Sequence, residues 1–172
     1  MSDNKITIEI AKKEDASALI EYVKKVADVT NFLTFDSSEF NKTIEEEERI
    51  IEAHDLAKNQ LFIVAKLENK IIGMLNVQSI NKRRLEHIGV LGMSVLKEFW
   101  KKGAGGSLLN YKVCWAKEGG VIKKLNLKVL LNNESAIRLY MKHGFIIEGR
   151  ISKDIKLKDG FQETYQMGLL VN

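Results

Sequence analysis

The stretch Phe99-Trp100-Lys101-Lys102-Gly103-Ala104-Gly105-Gly106-Ser107-Leu108-Leu109 constrains this chain more than any other. Before it, Ile88 to Val95 is largely apolar with small residues at Gly89, Gly92 and Ser94, the pattern of a buried strand. From Leu108 onward apolar residues recur at helical spacing. A strand therefore feeds a helix through a basic glycine turn. Glycines let the backbone turn sharply and bring its N–H groups close to a ligand, and the free N–H groups and dipole at a helix start favour phosphate. Lys101 and Lys102 add charge. Neither the GxxxxGK[ST] phosphate loop nor the GxGxxG dinucleotide fingerprint is matched. On these residues alone the turn is either an anion cradle or a tight connection.

Lys124 to Leu131 alternates Leu125, Leu127, Val129 and Leu131 with Asn126, Lys128 and Leu130, and reads as a second strand with one face more deeply buried. It runs into a short helix with a clear start and stop. Asn132 or Asn133 caps it, Glu134 suits its first turn, Lys142 and His143 suit its last, and Gly144 ends it.

Taken together, GMSV at 92–95, KGAGG at 102–106 and NESAIRLYMKHGF at 133–145 resemble the GCN5-related N-acetyltransferase superfamily. The resemblance covers about residues 86–150. It implies that acetyl-CoA is the phosphate ligand and that its pantetheine arm lies where the two central strands splay apart. Carried across by position, the backbone of Met93, Ser94 and Val95 is expected to hold pantetheine. The turn Lys101, Lys102, Gly103, Ala104, Gly105, Gly106 and Ser107 is expected to hold the pyrophosphate. Asn133, Ala136, Tyr140 and Lys142 complete the cofactor side, with Tyr140 near the sulfur. One departure is Trp100, which stands where the family commonly has Gln or Arg; a turn that binds chiefly through backbone N–H groups tolerates this.

An acceptor amine attacks a thioester only when neutral, the developing oxyanion needs a donor, and the departing thiolate benefits from a proton. A phenol with a reference pKa of about 10 stays protonated at neutral pH, so Tyr140 suits the last role. Its bland alternative is a packed aromatic on an amphipathic helix. The Met93 N–H is the candidate oxyanion donor. Many family members carry a Glu base on this strand where Gly89 stands here, so His87 is the candidate base, against an ordinary strand-end histidine. His54 and His143 read as helix-surface and helix-end residues. Direct transfer without a covalent enzyme intermediate is what the resemblance implies.

Within the superfamily the sequence is similar to bacterial amino-acid and polyamine N-acetyltransferases and to those acting on ribosomal protein N-termini. The expected partner is thus a small-molecule amine or a peptide N-terminus. Phe32, Phe35 and Glu39 fall in the loop that usually borders the acceptor pocket, and an acidic residue there suits an ammonium group; capping or solvation explains Glu39 equally well. A different class of function is a regulatory module that holds acyl-CoA without turnover, motivated by Gly89 and Trp100.

The 172 residues, 45% hydrophobic and 29% charged, fit one domain with a sizeable core rather than disorder. The 27 basic residues are interleaved with 23 acidic ones, so the net charge of +4 is not a nucleic-acid footprint and suits steering of an anionic cosubstrate. No apolar run approaches the ~20 residues of a membrane span and the start MSDNK lacks a signal peptide's pattern, so a cytoplasmic protein is expected. The single Cys114 is expected to be a core thiol. No metal site is expected, and the Glu45 to Glu48 run reads as a solvated helix start capped by Thr43 and Glu46.

The remaining elements are a strand over 5–10, a helix over 15–27, a helix after Thr43, strands over 61–67 and 70–79 joined at Glu68-Asn69, and a final pair over 145–157 and 161–171. The fold expected is α/β (α+β): a mixed, mostly antiparallel twisted sheet of about seven strands flanked by about four helices, with a splayed central parallel pair. The C-terminal strands are the candidate edge for homodimer formation.

Overall fold

The computed structural model describes residues 5–30 and 38–172. Among the described residues seven strands form one sheet: β1 (Thr7–Ile10), β2 (Leu61–Leu67), β3 (Lys70–Ser79), β4 (Ile88–Val95), β5 (Lys124–Leu130), β6 (Ile146–Leu157) and β7 (Gly160–Leu170), in the order β1-β2-β3-β4-β5-β7-β6. Every neighbouring pair is antiparallel except β4 with β5. Four α-helices among the described residues accompany it: α1 (Ala16–Val29), α2 (Ile44–Leu56), α3 (Ala104–Gly119) and α4 (Glu134–Lys142). This is the mixed, splayed architecture expected from the sequence.

Period-two patterning splits the core into two layers. On β2, Leu61, Ile63 and Ala65 join the cluster that includes Leu108 and Leu109 of α3 and Phe145 after α4. Phe62 and Val64 face the other way and pack with Leu19, Val23 and Val26 of α1 and Ile51 of α2. Because both faces of the central strands are covered, they read as near-continuous apolar runs.

Local chemistry sets the boundaries. Glu68 and Asn69 both take positive φ, 49° and 63°, as a two-residue hairpin requires. Thr43 Oγ1 accepts from the Glu46 N–H while the Glu46 carboxylate accepts from the Thr43 N–H, closing the capping box that starts α2.

Three expectations are corrected here. Cys114 is exposed, and the core stripe of α3 runs Ala104, Leu108, Lys112, Ala116, with Lys112 wholly buried. His54 is buried rather than on the surface: its Nδ1 lies 2.8 Å from the Ile50 carbonyl oxygen and its ring packs edge-on against Phe62. Within the acidic run, Glu45 and Glu46 are exposed but Glu47 is only 3% exposed, because it points inward from α2.

Candidate active site

The site begins where β4 and β5 part. They pair in parallel only at Ile88↔Lys124, Gly89↔Leu125 and Val90↔Asn126. Beyond that, β4 continues along β3 as far as Gly73↔Val95, and β5 along β7 as far as Leu130↔Thr164. Each central strand is held on its outer side while the inner sides separate.

Backbone alternation decides which groups face the split. The His87 carbonyl accepts from the Lys124 N–H on the β5 side, and the Leu96 N–H donates to the Ile72 carbonyl on the β3 side. Since successive residues of a strand point their N–H and C=O groups to opposite neighbours, Met93 and Val95 aim theirs into the split. The Ser94 backbone instead faces β3, and its hydroxyl lies 3.0 Å from the Tyr22 hydroxyl. Of the three residues expected to hold an extended ligand through their backbone, two are placed to do so.

A cavity of about 1330 Å³ opens along this split, larger than the ~300–1,000 Å³ of ordinary small-molecule pockets. At one end lies the start of α3. Gly103 caps the helix in the left-handed region at φ +90°, which favours glycine. The first backbone bond within the helix runs from the Ser107 N–H to the Gly103 carbonyl, which leaves the N–H groups of Ala104, Gly105 and Gly106 without helical partners. Gly105 has a packing role as well, since a Cβ there would lie 2.9 Å from Leu139 Cδ2 of α4. Lys101, Gly103, Gly105, Gly106 and Ser107 line the cavity from this side, with Lys142 of α4 and His143, which caps its end. Lys102 and Ala104 do not line it: the Lys102 ammonium lies over the Phe99 ring, 5.2 Å from its centroid, and Ala104 is buried beneath the turn. Trp100 Nε1 donates to the Val95 carbonyl at 2.8 Å, so the residue in the unusual place ties the turn to the end of β4.

Helix α4 brings the remaining residues. Asn133 Oδ1 accepts from the Ala136 N–H at 3.3 Å, a cap worth about 1 kcal/mol. Both residues line the cavity, as does Tyr140 two turns on. Tyr140 is 7% exposed, and its ring meets Phe145 edge-on with centroids 5.8 Å apart. Burial pushes its hydroxyl up to about 12. A thiol with a reference value near 8.5 is a stronger acid than such a phenol. Tyr140 is therefore suited to hydrogen-bond a thiolate rather than to surrender its proton outright.

On the opposite wall lie Phe40, Lys42 and Glu47, and Glu47 is the one carboxylate among the described lining residues. Where the strands diverge, Asn126 also lines the cavity; its Oδ1 is buried with no hydrogen-bond partner. Sequence reasoning missed Glu47 and Asn126. The signal for Glu47 was present in its helical phase, three to four residues before Ile50 and Ile51, which pack against the core.

The structure does not bring His87 to the cavity. Met93 lies six positions further on, about 20 Å at strand rise, and the His87 carbonyl instead anchors the start of β5 through the N–H groups of Lys123 and Lys124. Gly89 could not carry a base either: a Cβ there would sit 2.5 Å from Val77 Cγ1 and 3.0 Å from Leu125 Cδ2. Glu39 lies in an exposed turn and is not among the lining residues, while Phe32 and Phe35 lie outside the described residues.

Comparison with known proteins matches this geometry. The profile of the Acetyltransferase (GNAT) family matches residues 16–145. An acetyltransferase of the GNAT family from Streptococcus pneumoniae is 32% identical and superposes with a TM-score of 0.94 over 98% of this chain and 100% of that one. The yncA protein of Salmonella typhimurium, solved with its cofactor acetyl-CoA, shares the fold at a TM-score of 0.84, with 19% identity over 98% of this chain and 95% of that one. The L-amino acid N-acetyltransferase AaaT of Escherichia coli (strain K12) is 26% identical over 61% of this chain and 65% of its own length, so the chain spans just under two thirds of that curated relative. The split strands, the glycine turn and the family match agree, and the chain belongs to the Acetyltransferase (GNAT) family.

Proposed function

We propose that the chain is an acetyl-CoA-dependent N-acetyltransferase that moves an acetyl group directly to a primary amine of a small molecule such as an amino acid or polyamine. The observation that carries this reading is the split itself: unladdered Met93 and Val95 backbone groups on one side, Tyr140 on the other, and a helix start with free N–H groups at the end.

These residues fit acetyl-CoA group by group. The N–H groups of Gly105 and Gly106, with Lys101 and Lys142, suit its phosphates. The orphaned Asn126 Oδ1 and the Met93 and Val95 backbones suit an amide-bearing arm. When bound, acetyl-CoA supplies an activated acyl group as a thioester.

The protein then contributes position and hydrogen bonds. The Met93 N–H, free of the sheet ladder, donates to the carbonyl oxygen as negative charge grows there. Tyr140, protonated at neutral pH as any phenol is and pushed further up by burial, donates a hydrogen bond to the sulfur as it departs. Residues of α1 and α2 line one side of the cleft and residues of α4 the other. The placement of a protonated phenol at the split favours turnover over simple storage of acyl-CoA.

Amine-dependent release of free thiol from acetyl-CoA, followed over amino acids, polyamines and peptides with free N-termini, tests the reading. Release with small amines is expected. Binding of acetyl-CoA with release only in the presence of peptides would move the assignment to protein N-termini.

A further inference from the structure

The wall of the cavity formed by Phe40, Lys42 and Glu47 holds an ammonium group of the protein's own. Lys42 Nζ lies 3.3 Å from Glu47 Oε2 and 5.1 Å from the centroid of the Phe40 ring, and all three residues line the cavity. The pair is lopsided: the Glu47 side chain is 4% exposed and that of Lys42 is 39% exposed. A carboxylate and an aromatic face converging on one point form an ammonium site, because both attract a compact cation and the attraction strengthens as water is excluded.

The two partners are not equally fixed. Glu47 is built into the first turn of α2, whose start is locked by the capping box. Lys42 precedes that helix and reaches inward on a flexible four-carbon stem from an exposed position. A buried carboxylate left without a cation is costly, so something must occupy this place. The remaining cavity lysines are engaged or placed elsewhere: Lys128 pairs with Asp154 at 3.0 Å, and Lys101 and Lys142 belong to the phosphate end. Among the described lining residues Glu47 is the one carboxylate, and so the one anionic anchor they offer an incoming protonated amine.

We infer that Glu47 and Phe40 form an ammonium subsite for the acceptor, occupied in the free chain by Lys42 and taken over by a substrate that carries a second nitrogen. This inference rests on the transferase reading and sharpens it. A nitrogen held by Glu47 is protonated and cannot attack a thioester, so the reacting amine must be a different, neutral nitrogen of the same molecule. The acceptor class is therefore an aliphatic diamine or polyamine. Lys42 acts as a tethered competitor that keeps Glu47 paired until such a molecule arrives.

Calorimetric titration of the CoA-saturated protein with α,ω-diaminoalkanes of three to eight carbons, beside monoamines of equal carbon number, tests this without requiring turnover. At the best chain length the diamine is expected to bind at least ~10-fold more tightly, the effect of one well-placed charge-assisted contact. Glu47→Gln is expected to bring the ratio close to one, and Lys42→Gln to tighten the diamine severalfold by removing the competitor. A ratio near one at every length in the wild-type protein overturns the inference, as does an unchanged ratio in a Glu47→Gln protein that melts like wild type. If Glu47→Gln does not fold, Lys42→Gln decides, and diamine binding that is unchanged or weaker overturns the inference. Thiol release run alongside separates the two levels. Diamine preference without any amine-dependent release removes the transferase reading and leaves the subsite, whereas release without diamine preference does the reverse.

Discussion

Lys112 Nζ lies 4.3 Å from the centroid of the Phe145 ring, in a side chain that is wholly buried and whose ammonium has no hydrogen-bond partner. The same ring meets Tyr140 edge-on. The π face of Phe145 is thus the main compensation for a cation taken out of water, and it is a partial one. Burial pulls the amine down to about 7.

A stability profile follows from that shift. Between about 7 and the ordinary lysine value of 10.5 the folded chain has released a proton that the unfolded chain still holds. Stability therefore rises with pH across this window, and below it the full cost of the buried charge is present. Lys112→Met, of similar length and without charge, is expected to stabilise the protein at pH 6 by a few kcal/mol, on the order of 3–5 by the shift, and to flatten the rise. Denaturant melts at pH 6 and pH 9.5 measure both effects. Equal pH dependence in wild type and variant would sink this assignment.

The Tyr140 hydroxyl predicts a different pattern. Replacing Tyr140 with Phe keeps the edge-on packing against Phe145 and removes the donor at the split, so turnover is expected to fall ~10²-fold while calorimetric affinity for acetyl-CoA is retained. Because burial holds the phenol up at about 12, wild-type turnover should show no alkaline loss from Tyr140 through pH 10. Unchanged turnover in Tyr140→Phe would take this residue out of the chemistry.

Trp100 offers a test of the glycine turn. Trp100→Phe deletes the 2.8 Å bond from Nε1 to the Val95 carbonyl and keeps most of the ring. The loss of about 0.5–1.5 kcal/mol is expected to weaken acetyl-CoA binding by ~2–10-fold with little change in kcat, as read by titration and steady-state kinetics. A drop in kcat with unaltered affinity would show that the bond orients the reacting end instead.

Gly89→Glu addresses the family's common base position directly. The new Cβ would press on Val77 and Leu125, and the carboxylate would enter the apolar layer beneath α3. A loss of about 3 kcal/mol or more is expected, visible as a lowered melting midpoint. A variant that folds as well as wild type and gains activity toward lysine-type amines would contradict the packing described for β4.

The parts of this fold legible in the sequence were those governed by local rules. The hairpin at Glu68-Asn69, the Thr43–Glu46 box and the Asn133 cap each depend on a few neighbouring residues, and each stands where the pattern placed it. The strand, glycine turn and helix were legible for the same reason. What escaped notice depends on which way a helix faces after packing. Lys112 continues the i, i+4 stripe of Ala104, Leu108 and Ala116, but its charge argued for the surface, and Cys114 beside Trp115 looked the better core residue. Glu47 was hidden among four consecutive glutamates, of which Glu45 and Glu46 are exposed and Glu48 is half-buried. His87 directly precedes the strand that carries Met93, and nothing local reveals that the split opens at the other end of that strand.

The central claim is direct transfer of acetyl from acetyl-CoA to an amine in the split between β4 and β5. Mass spectrometry of the protein and of the reaction mixture, with and without a small primary amine, tests it most directly. One free thiol per N-acetylated amine is predicted when the amine is present, with no acetylated protein when it is absent. A stable acetyl-protein formed without amine, or acetyl-CoA bound and never consumed with any amine offered, would contradict the account.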